Sequence, residues 1–236
     1  MTKRIIRYII LFAVIPASVI LGAVFFSGKQ TAYISLAVTI FAIAAFLLSF
    51  EHKKNSSREL TVIAVMTALS VVGRMIFALL PGFKPVTAIV VITAMYFGVE
   101  AGFLTGALSA VISNLTFGQG AWTPFQMLSW GIIGLLAGFL SPILKKSKIM
   151  LSVYAVISGI LFSFIMDFWS VLWIDNNINW ARLGAFAVTA LPVTIEYAVS
   201  NVIFLLLLAK PIGKKLDRVK IKFGLFKKEL PKIEKQ

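Results

Sequence analysis

Residues 149–173 read IMLSVYAVISGILFSFIMDFWSVLW, an apolar run interrupted by a single acid, Asp167. A helix rises about 1.5 Å per residue, so roughly 20 apolar residues cross the hydrocarbon of a bilayer. This run is long enough to do so unaided. Lipid offers backbone groups no hydrogen-bond partner, so a spanning segment must be a helix or part of a closed barrel. The run lacks the alternation of a barrel strand. Seven further apolar segments lie near 5–27, 31–50, 59–80, 86–98, 101–117, 123–143 and 184–209. The fold class expected is therefore all-α, a polytopic membrane helix bundle.

Composition agrees. The 236 residues are 59% hydrophobic and 14% charged, with a mean hydropathy of +0.95. A soluble domain carries about a quarter charged residues. The net charge of +14 does not point to nucleic acid, because the basic residues sit between apolar runs and in the tail, where they set orientation. With the N-terminus inside, the cytoplasmic segments hold Lys3, Arg4 and Arg7, then Lys53, Lys54 and Arg58, then Lys145, Lys146 and Lys148, and ten basic residues from Lys210 onward. The outer segments hold only Lys29, Lys84 and Arg182. The pattern predicts a multi-pass protein of the cell membrane with both termini cytoplasmic. The apolar stretch within Met1–Gly28 is too long for a usual signal-peptide core and reads as a retained helix. The basic, partly apolar tail suits contact with membrane lipid or a cytoplasmic partner.

The expected organisation is an N-terminal transmembrane hairpin over residues 1–57, a membrane core over 58–210 and a basic cytoplasmic tail over 211–236. Pro81, Pro85 and Pro124 mark expected breaks, since proline removes a backbone donor and disfavours helix before it.

No catalytic constellation is visible. There is no cysteine and one histidine, His52, in a polar loop beside Glu51, Lys53 and Lys54. Histidine-centred triads and most metal sites therefore lack parts. No phosphate-binding glycine loop of the G-x-x-x-x-G-K-[ST] type is present. No enzymatic activity, no metal and no cofactor of its own are expected.

Three ionisable residues fall inside predicted spans: Arg74, Asp167 and Glu196. Charge in a membrane is costly, so such residues face a cavity or one another. Arg74 and Asp167 count to similar depth, which allows either a pair or a shared pocket wall. Glu196 counts about three turns below the outer end. The segment 114–126, NLTFGQGAWTPFQ, combines amides, aromatics and glycines between two spans. Pockets for small molecules unite aromatic walls with a few placed polar groups. Asn114, Gln119 and Gln126 are candidate binding residues there. Trp122, like Trp173 and Trp180, also suits an interfacial aromatic belt. Small residues recur at four-residue spacing in Gly98, Gly102 and Gly106, and in Ala64 and Ala68, which lets helices approach closely.

From about Arg58 to Lys210 the chain resembles the S component, or substrate-binding subunit, of energy-coupling factor (ECF) vitamin transporters. The resemblance rests on six core spans, on Ala64-Val-Met-Thr-Ala68, on Lys84-Pro-Val-Thr-Ala-Ile, and on Phe117-Gly-Gln-Gly-Ala-Trp-Thr-Pro-Phe-Gln126. It implies a six-helix bundle with a vitamin pocket near the outer face. The candidate substrate contacts are Arg74, Lys84, Asn114, Gln119, Trp122, Gln126, Trp130, Asp167 and Glu196. Ala64 and Ala68 would meet a transmembrane coupling subunit that carries two cytoplasmic ATPases, so ATP would be used by partner chains. The signature looks most like the cobalamin or corrinoid branch, with a riboflavin-type binder the nearest rival. The two N-terminal spans depart from the family pattern. The competing function is a self-sufficient ion-coupled secondary transporter, for which Asp167, Glu196 and Asn201 are the candidate coupling residues.

Overall fold

The computed structural model describes residues 57–225. The expected N-terminal hairpin and the last part of the tail lie outside the described residues. Within them the chain is a helix bundle without strands. Eight helices follow in order: α1 (Ser57–Ile76), α2 (Val86–Phe97), α3 (Val99–Phe117), α4 (Thr123–Phe139), α5 (Ser141–Leu144), α6 (Lys148–Asp175), α7 (Trp180–Thr189) and α8 (Leu191–Phe223). Helices α1, α3, α6 and α8 are long and apolar enough to cross a membrane. Helices α2 and α4 are apolar but shorter. Together these six match the six core spans read from the sequence, and the chain is a multi-pass membrane protein.

Helix α2 is the axis of the bundle. Every residue in it except Tyr96 is buried, which explains why a segment too short to span needs no lipid-facing side. It packs against α1, α3, α4, α5 and α8. A single residue, Gly98, turns the chain from α2 into α3, with φ 98° and ψ −178°. That region of backbone space is essentially restricted to glycine, so Gly98 fixes the one-residue turn from α2 to α3.

Helices α3 and α4 form the closest contact. A Cβ on Gly102 would strike Ala94, and one on Gly106 or Gly134 would strike the backbone of the facing helix. Small residues supply close packing where lipid removes the hydrophobic drive between helices. Gly102 and Gly106 thus serve internal packing, while Gly98 serves the turn. Ala64 and Ala68 differ, because both are exposed on α1.

The last predicted span differs from the structure. The sequence reading takes residues 184–209 as one helix, whereas the chain breaks at Ala190 into α7 and α8. Pro192 stands at the start of α8, where its missing N–H costs nothing. The consequence is positional. Glu196 and Tyr197 lie in the second turn of α8 rather than about three turns deep, at the level of the α1–α2 loop. At its other end α8 continues through Pro211 to Phe223 without a break.

Candidate functional site

The loop of residues 77–85 joins α1 to α2 and is fastened to α8 at several points. Phe77 and Phe83 close on Phe204 with ring centroids 5.1 and 5.0 Å away. The Gly82 N–H donates to Glu196 Oε2 at 3.1 Å. The Ser200 hydroxyl donates to the Lys84 carbonyl at 3.2 Å. Lys84 Nζ turns back on its own loop and donates to the carbonyls of Leu80, at 3.0 Å, and Pro81. Burial, and then the charge of Arg74, lower the Lys84 pKa, while Glu196 opposes them.

Beneath this loop lies a cavity of about 70 Å³. Its wall brings together Arg74, Lys84, Gln126 and Trp130 from the sequence-predicted set, with Thr87, Phe162, Tyr197 and Asn201 beside them. One side is aromatic. Trp130 stacks on Phe162 at 5.0 Å and 23°, and Phe162 meets Tyr197 edge-on at 5.2 Å.

Arg74 is in the last turn of α1. Its Nη1 donates to Ser113 Oγ and, at 2.9 Å, to Asn114 Oδ1. Its guanidinium carbon lies 4.6 Å from the Phe117 ring centroid and 5.2 Å from that of Trp130. Such cation–π contacts contribute about 0.5–2 kcal/mol each, more as the site becomes drier. Asn114 is buried and works behind the wall. Its amide nitrogen donates to Thr123 Oγ1 at 3.0 Å and to Gln126 Oε1 at 2.7 Å. Thr123 in turn donates to Gln119 Oε1 at 2.9 Å. One amide therefore orients both Arg74 and Gln126, and ties α3 to the start of α4.

The remaining predicted residues stand away from the wall. Gln119 is exposed and its amide donates to the Val111 carbonyl at 2.7 Å. Trp122 meets Trp169 edge-on at 5.9 Å, and Trp169 stacks on Trp173, an aromatic cluster that suits a membrane interface. Asp167 is half-buried on α6 and absent from the cavity wall. Glu196 serves the loop rather than the cavity surface. Asn201, by contrast, is part of the wall, where its amide donates to the Ala155 carbonyl at 3.3 Å and joins α8 to α6. No cluster of three metal-ligating side chains occurs among the described residues.

Sequence reasoning missed Phe162 and Tyr197. Each sits within an apolar run, where helical period marks the buried face but cannot separate a cavity-facing ring from a packed one. The partial signal was Thr87, inside the Lys84-Pro-Val-Thr stretch already quoted.

A family model described as ECF-type riboflavin transporter, S component, matches residues 54–218, well over half of the chain. No curated protein and no solved structure matches.

Proposed function

We propose that this chain, which belongs to the family of ECF-type riboflavin transporter S components, captures an aromatic vitamin beneath the α1–α2 loop for uptake powered by ATPases on other chains. The observation that carries this reading is the cavity itself. It unites a guanidinium, two amides and three aromatic rings under a loop held by a few polar contacts. The charge pattern supports placing this end outside and the termini in the cytoplasm.

Of the vitamins considered, the flavin type is favoured over the corrinoid. A corrinoid requires a wide mouth built from loops, yet none of residues 117–122 lines the cavity. The rings of Trp130, Phe162 and Tyr197 instead offer faces and edges to a flat heteroaromatic. A cavity of about 70 Å³ is well below the ~300–1,000 Å³ of pockets that enclose organic ligands. Loading therefore requires the 77–85 loop to lift, with release of the Gly82–Glu196 bond.

Coupling is assigned to α1. Ala64 and Ala68 share an exposed side of that helix with Val65, 60% exposed, and Leu69, 44% exposed. Arg74 and the buried Thr67 and Ser70 face the bundle. One helix thus presents a smooth surface to a coupling subunit and a binding residue to the cargo. Replacing Ala64 or Ala68 with Trp is expected to abolish copurification with the coupling subunit and its ATPases while leaving ligand binding intact. Uptake by the chain alone in liposomes under an ion gradient, without ATPases, would overturn the reading.

A further inference from the structure

The charged groups around the cavity do not balance. Arg74 and Lys84 line it, and no aspartate or glutamate does. Three acids lie toward this end of the bundle. Asp175 is held by Arg182 at 2.7 Å. Asp167 stands off the cavity wall and in no ion pair among the described residues. Glu196 is the acid closest to the wall, through its bond to Gly82. Both Glu196 and Asp167 reach Tyr197 of the wall electrostatically, yet neither lines it, so the wall itself holds two cations and no carboxylate. The hydrogen bonds of Arg74 go to neutral acceptors and use Nη1 alone, although a guanidinium carries five N–H donors. A cation withdrawn from water needs an anion or costs several kcal/mol.

We infer that the cargo of this cavity is a planar aromatic bearing one anionic group, a carboxylate or a phosphate, for which Arg74 is the counter-ion. The inference rests on the reading that the cavity is the cargo site, and it narrows the chemistry that site takes. Arg74 is suited to the role because its fork pairs with both oxygens of a carboxylate or phosphate. The guanidinium carbon lies over the Phe117 and Trp130 rings, and its hydrogen bonds engage Nη1 alone. The stacked Trp130 and Phe162 and the Tyr197 edge receive the ring. Lys84 contributes a second, softer charge from the loop.

Matched ligands test this directly. The full chain, purified in lipid nanodiscs at pH 7, is titrated by tryptophan fluorescence, which Trp130 reports. Two pairs are used: flavin mononucleotide against riboflavin, and nicotinate against nicotinamide. Each pair differs in charge at nearly constant ring, and the pairs differ in size and in the identity of the anion. In a pair that binds, the anionic member is expected to bind at least tenfold more tightly. Arg74→Gln should reduce that preference below twofold. Should Arg74→Gln not fold, Lys84→Met, in the loop, is expected to reduce it at least threefold. The inference is overturned if the neutral twin binds as tightly, if the preference survives these substitutions, or if none of the four ligands binds. Copurification with the ATPase subunits reads the family role separately. If it persists while the charge preference is absent, only the present inference falls. If it is lost, the transport reading falls with it.

Discussion

The two ends of the bundle carry the same charges and use them in opposite ways. At one end Arg74 and Lys84 lie near Glu196; at the other Lys145 and Lys220 lie near Asp217. At the second end the space between the charges is filled. Lys145 Nζ sits 4.2 Å over the Tyr96 ring, and Lys220 Nζ donates to the Tyr96 carbonyl at 3.0 Å. Tyr96 fits because Gly213 of α8 has no side chain to meet its hydroxyl. At the first end the corresponding space is a cavity, and its carboxylate is engaged by the backbone of Gly82. Packing, and not charge count, makes one end a latch between α2, α8 and the α5–α6 turn, and leaves a cavity at the other.

Damage at the two ends is therefore expected to separate binding from stability. The largest effect on binding is expected from Asn114→Ala. It removes the acceptor of Arg74 and the donor to Gln126 together, so ligand affinity should fall by roughly 10–100-fold, the equivalent of one to two hydrogen bonds to charged or buried groups. The fold should persist at a cost of about 1–3 kcal/mol, since the three partners Arg74, Thr123 and Gln126 are left to rebond. Calorimetric titration with a parallel melting curve reads both. A protein that unfolds outright would place Asn114 in the scaffold and remove it from the site.

The reverse pattern is expected from Gly213→Ala. A methyl there collides with the Tyr96 hydroxyl, so the ring must shift and surrender its contact with Lys145. Overpacking of this kind costs about 1–3 kcal/mol. The melting temperature should drop while ligand affinity stays within twofold. A loss of affinity comparable to that of Asn114→Ala would show that the ends are mechanically coupled and erase the distinction drawn above.

The sequence made these ends unequally legible. Span count and helix class could be read from hydropathy, and the inward placement of Arg74 from the cost of charge in lipid. Close packing of Gly102 and Gly106 followed from their spacing. The latch could not be read, because Tyr96, Lys145 and Gly213 are far apart in sequence and unremarkable singly. The break at Ala190 was signalled only by Pro192, and passing over it set Glu196 too deep. The paired amides of Asn114 and Gln126 sat within a loop segment chosen for its composition. Their link to Arg74 needed the crossing of α1 and α3, which no local pattern encodes.

The smallest expected effect concerns pH and discriminates most finely between the two uses of charge. The Lys84 pKa lies below the ordinary lysine value of 10.5, from burial and the neighbouring Arg74 charge. Between that lowered value and 10.5 the unfolded chain binds more protons than the folded one, so stability should rise with pH across the window. Affinity for an anionic ligand should move the other way, because deprotonation removes a positive charge from the site. The loop position is partly solvated and screening is substantial, so a decline of only about threefold is expected. A neutral ligand should show no such slope, and Lys84→Met should abolish it. Lys145 is also lowered, by burial first, but Asp217 pulls it upward, and the space beside it is filled by the Tyr96 ring. Its titration should therefore appear in the melting curve alone. Parallel pH slopes in affinity and stability would mean that Lys84, like Lys145, serves the fold and not the cargo.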